Sequence, residues 1–122
     1  MDNLFSELLC SVTTIHIAHF GQKGPGSYAA HKALGDYYEN VAEFIDSAVE
    51  AYQGVTGKLV KFPDKISITC CTSVEECCTY LKGLRAAINK EQQNCSYSEI
   101  VNILDEIKAL IDSTCYKLTF LK

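Results

Sequence analysis

Apolar residues recur at alternating spacings of three and four along four stretches of the chain, which is the period of one face of an α-helix. Over residues 3–20 the stripe is Phe5, Leu8, Val12, Ile15 and His19. Three glycines and a proline between Gly21 and Gly26 break it, because neither residue type continues a helix cheaply. A second helix is predicted over 27–53, with Leu34, Tyr38, Val41, Ile45, Ala48 and Tyr52 on one stripe and Gly54 and Gly57 ending it. The third is announced by Ser73-Val74-Glu75-Glu76, a capping box in which Ser73 and Glu76 satisfy each other's orphan backbone donors. Its stripe is Val74, Cys77, Leu81, Leu84 and Ile88. Ser96-Tyr97-Ser98-Glu99 reads as a second capping box, opening the cleanest stripe of all: Ile100, Ile103, Leu104, Ile107, Leu110, Ile111 and Leu118.

Four apolar stripes pack most simply as an all-α four-helix bundle, a single domain over residues 1–122. The first and third links are short, so each joins an antiparallel hairpin. The connection at 54–72 is long and holds Gly57, Pro63 and the β-prone run Lys65 to Thr69. Nineteen extended residues reach roughly 60 Å, and the second helix is only about 40 Å long. The connection can therefore run the length of the bundle. Two helical hairpins joined by one long crossover is the ferritin-like topology.

Composition alters this picture little. The chain is 48% hydrophobic and 21% charged, enough apolar residue for its own core. No apolar run approaches the roughly 20 residues of a membrane span, and the start MDNLFSELLCS has no basic region before an apolar one. Neither a membrane partner nor export is expected. A net charge of -4 with no basic block argues against a nucleic-acid partner. The seven cysteines are odd in number and form no Cys-x-x-Cys pair. Free thiols in a reducing, cytoplasmic compartment are expected, acting as small buried hydrophobes, with thiol-bound zinc as the minor reading.

The candidate chemistry lies on the first two helices. His16, His19 and His31 are the only histidines. Asp36, Glu39, Glu43, Asp46 and Glu50 run down the second helix, most of them on a solvated face. Asp46 and Glu50, at i and i+4, turn toward the flank of His31 and can grip one cation. Imidazole with carboxylate suits ferrous iron, with zinc or manganese as competitors. His31 and Asp46 are fifteen residues apart, which is roughly 22 Å of helix rise. One chain cannot close them on the same ion. A shared metal demands a second copy, its second helix antiparallel across a two-fold axis.

The run from His19 through Gly24 to His31, followed by Asp46-Ser47-Ala48-Val49-Glu50, resembles the ferroxidase signature of the Dps-like mini-ferritins. In that signature a histidine closes helix one, a second follows after twelve residues, an aspartate after fifteen more and a glutamate after four. His19, His31, Asp46 and Glu50 meet all three intervals, with Phe20 in place of the family's tryptophan. The resemblance implies these four as metal ligands, histidines from one subunit and carboxylates from another, in a homo-oligomer oxidising Fe(II) with peroxide or oxygen. His16 matches no ligand position and is expected to be structural, while Tyr37, Tyr38 and Tyr52 read as packing aromatics. No lysine-rich extension is present to suggest DNA binding. The run from His31 to Tyr38, with Tyr52-Gln53-Gly54, is also similar to short ferritin-like proteins of tailed phages. A virion-associated interaction module with a structural or vestigial metal site is the alternative that this second likeness implies.

Overall fold

The computed structural model describes residues 1–122. Four helices form: α1 (Asp2–Phe20), α2 (Ser27–Thr56), α3 (Val74–Gln93) and α4 (Ser98–Phe120). They pack as a bundle in which α1 and α4 each lie against both α2 and α3. Ion pairs fix the directions. The Met1 ammonium meets Glu91 at the end of α3, and Lys117 near the end of α4 meets Asp36 near the start of α2. Neighbouring helices are therefore antiparallel. One continuous core runs between them, from Leu4, Phe5, Leu8 and Ile15 of α1 to Ile100, Leu104, Ile107 and Ile111 of α4. No helix is long and apolar enough to cross a membrane.

The crossover between α2 and α3 runs along α1. It leaves beside Asp2, whose carboxylate accepts from the Lys61 amide, and arrives beside Gln22, which donates to the Thr72 carbonyl. The β-prone run 65–69 forms no strand, having no neighbouring strand to pair with; its Ile66 and Ile68 line a groove together with Leu9 and Val12.

Three local expectations are corrected. Gly54 does not end α2; it sits exposed inside the helix, and Gly57 terminates it with φ +70°. That left-handed conformation suits glycine, which has no Cβ to clash. Ser73 and Glu76 do form the capping box of α3. The box expected at Ser96 does not form, because α4 starts one residue later than that box requires and its N-cap is Tyr97, whose side chain makes no capping hydrogen bond. On α2 the deeply buried tyrosine is Tyr37, not Tyr38. Tyr37 can enter the core because its hydroxyl has a partner there, Ser11 at 2.8 Å.

Candidate metal centre

Helix α1 ends at Phe20 and α2 begins at Ser27, and the glycine-rich turn between them folds back with Gly24 and Gly26 at positive φ. The turn brings His19 and His31 face to face, ring centroids 3.5 Å apart and planes inclined by 22°. Each imidazole donates through Nδ1–H to the other's backbone carbonyl, His19 to His31 at 2.6 Å and His31 to His19 at 2.9 Å. A carbonyl only accepts, so both rings carry their proton on Nδ1. Both Nε2 lone pairs are left free. A second-sphere bond of this kind fixes tautomer and orientation in metal-ligating histidines.

Around the pair lies an aromatic cluster. His16 stacks on Tyr38 at 4.0 Å and on Phe20 at 4.7 Å, in keeping with its structural reading. Phe20 and Tyr28 flank the histidines with 72% and 77% of their surfaces exposed. Gly35 lies beneath the His19 ring.

The carboxylates are elsewhere. Asp46 and Glu50 are exposed, four and five helical turns further along α2. Neither takes part in any ion pair of the chain, whereas Asp36, of the same acidic series, is held by Lys32 and Lys117. Asp46 borders an apolar groove of about 420 Å³ lined by Leu9, Val12, Ala42, Ile66 and Ile68. Within one chain the structure joins two of the four expected ligands and keeps the other two apart. Nowhere do three or more His, Cys, Asp or Glu side chains gather closely enough to hold a metal ion. The cysteines form no such group within one chain either. All seven are free, and burial pushes the thiol of Cys77 up to about 12, Cys71 and Cys78 adding to it, and that of Cys115 up to about 11. Cys71, Cys77 and Cys115 are buried packing residues, whereas Cys70 is exposed.

The sequence reading missed the buried Ser11–Tyr37 pair and the space kept by Gly35. Only the first had a signal in the sequence: Ser11 interrupts the α1 stripe one turn from Leu8, whose carbonyl its hydroxyl reaches at 2.6 Å.

Against known proteins, the chain matches the family described as Family of unknown function (DUF5856) over residues 19–118, and it belongs to that family. The matched span starts at His19 and contains all four expected ligands. No curated protein and no solved structure matches it.

Proposed function

We propose that the protein is a homo-oligomeric ferritin-like bundle that binds ferrous iron between two copies and oxidises it, His19 and His31 of one copy facing Asp46 and Glu50 of the other. The observation that carries this reading is the reciprocal Nδ1–H bonding of the stacked histidines, which leaves both Nε2 donors with no protein partner. The helix neighbours and the long crossover support the ferritin-like topology.

The residue pattern along one flank of α2 supports the two-fold arrangement. Tyr28, His31, Gly35, Ala42, Asp46 and Val49 fall on one side of the helix at spacings of 3, 4, 7, 4 and 3. That series reads the same in both directions. An antiparallel copy in this register sets His31 against Asp46 and Tyr28 against Val49, while Gly35 stays covered by the His19 ring of its own chain. The basic ligand meets an acid, the self-complementarity an isologous interface needs.

Iron is the substrate. Two imidazole nitrogens and two carboxylates suit a borderline divalent ion and leave coordination positions for the oxidant. Each ferrous ion gives up one electron; a peroxide molecule takes two and, with two protons, leaves as water. The carboxylates offset the charge that grows from ferrous to ferric. Zinc competes for the same donors.

Light-scattering mass with and without stoichiometric ferrous iron, with ferric absorbance read on the same sample, tests the reading. A dimer or larger that oxidises iron faster than buffer is expected. A monomer that binds none overturns it. A second reading, a non-enzymatic interaction module, is favoured by one observation: the reciprocal histidine bonds already clasp the α1–α2 turn without a metal. On that reading His31→Ala loosens the hairpin and there is no oxidation to lose.

A further inference from the structure

We infer that Gly35 is a positioning residue for this centre: the absence of a side chain there is what seats the His19 imidazole against α2. The consequence for iron rests on the proposed function; the seating is a property of the chain alone. Gly35 is buried in the interior of α2, where glycine is the least favourable residue save proline. Its backbone does not require glycine, since positive φ occurs only at Gly24, Gly26 and Gly57. Packing gives the reason. A Cβ at this position would lie 3.2 Å from Cε1 and 3.3 Å from Nδ1 of His19, tighter than an ordinary contact.

The ring has nowhere to retreat. One face is stacked on His31 at 3.5 Å, Tyr38 meets it edge-on at 5.3 Å, and Nδ1 is tied to the His31 carbonyl at 2.6 Å. A displacement of a few tenths of an ångström must stretch that bond or tilt the ring, and either one moves Nε2. The chain's other helical glycines provide the contrast. A Cβ at Gly54 or Gly83 meets nothing within 4 Å. Of the three, only Gly35 is kept empty by a neighbour.

Gly35→Ala, with Gly54→Ala as control, tests this by long-range ¹⁵N–¹H spectra of the histidines. The parent and the control are expected to show His19 as the Nδ1–H tautomer in a hydrogen bond. Gly35→Ala is expected to lose that signature with its helix content intact, and iron affinity falls roughly tenfold or more. In a His19→Ala background the ring is gone, so Gly35→Ala should there raise Tm, while it lowers Tm with His19 present. An unchanged His19 signature in Gly35→Ala, or the same Tm effect in both backgrounds, overturns the inference. So does a variant that fails to fold in both. If the parent binds no iron, the functional proposal falls, and the spectra and melting curves still decide the role of Gly35.

Discussion

Tyr37 shows how one hydroxyl shapes a core. The Ser11 hydroxyl has a single proton, and at 2.6 Å from the Leu8 carbonyl it is committed there. The Tyr37 hydroxyl therefore donates to Ser11 Oγ at 2.8 Å. Tyr37→Phe removes that donor but leaves Ser11 bonded to Leu8, so urea unfolding should record a loss of about 1 kcal/mol. Ser11→Ala strands the buried phenol and should cost more, toward about 3 kcal/mol. The reverse order would show the hydrogen bonds to be misassigned. The thiols give a second residue-level test. Burial raises Cys77 and Cys115 from an ordinary 9.0 to about 12 and about 11. The unfolded chain ionises first, so the native state binds more protons above pH 9.0, and stability should fall as pH rises from there through pH 11 to 12. For the same reason a thiol reagent at neutral pH should label the exposed Cys70 while Cys77 and Cys115 wait for unfolding.

The caps carry the argument at the scale of elements. Glu76 accepts from the Ser73 amide and the Thr72 hydroxyl, which hold its carboxyl below the ordinary 4.5. A depressed carboxylate stabilises the fold above its unfolded value and loses that contribution as pH falls through the folded one. Ser73→Ala should cost about 1 kcal/mol. Ser96→Ala, at the box that does not form, should shift Tm hardly at all. Both serines open the same four-residue pattern, and only the helix start separates them. This marks what the chain discloses about itself. The stripes of α3 and α4 locate their buried faces because apolar periodicity is a local property. Helix ends depend on which of several adjacent acceptors the backbone reaches, so Gly54 and Gly57 could not be ranked from residue type alone. The run 65–69 has strand-like residues, but a strand needs a partner strand, and that information lies outside the run. The four expected ligands were named through the resemblance, whose intervals they meet. That His19 and His31 would stack and exchange hydrogen bonds was not legible, because it depends on the turn between them and on the vacancy at Gly35.

For the whole molecule, the question is whether the chain works alone. The histidines lie at one end of α2 and the free carboxylates far along it. The exposed Phe20 and Tyr28 rim the histidine pair, and the spacing of residues along one flank of α2 reads the same in both directions. These features agree if a second copy completes the site. Complementation measures this most directly. Differently tagged His31→Ala and Asp46→Ala chains are produced together, and only assemblies carrying both tags are kept. In such a heterodimer one of the two symmetry-related sites holds the intact His31 against the intact Asp46, and the other holds neither. The proposal predicts that each variant alone oxidises iron no faster than buffer, while the heterodimer recovers about half of the parent's rate. A heterodimer as inactive as either variant, beside an active parent, would contradict a site shared between copies.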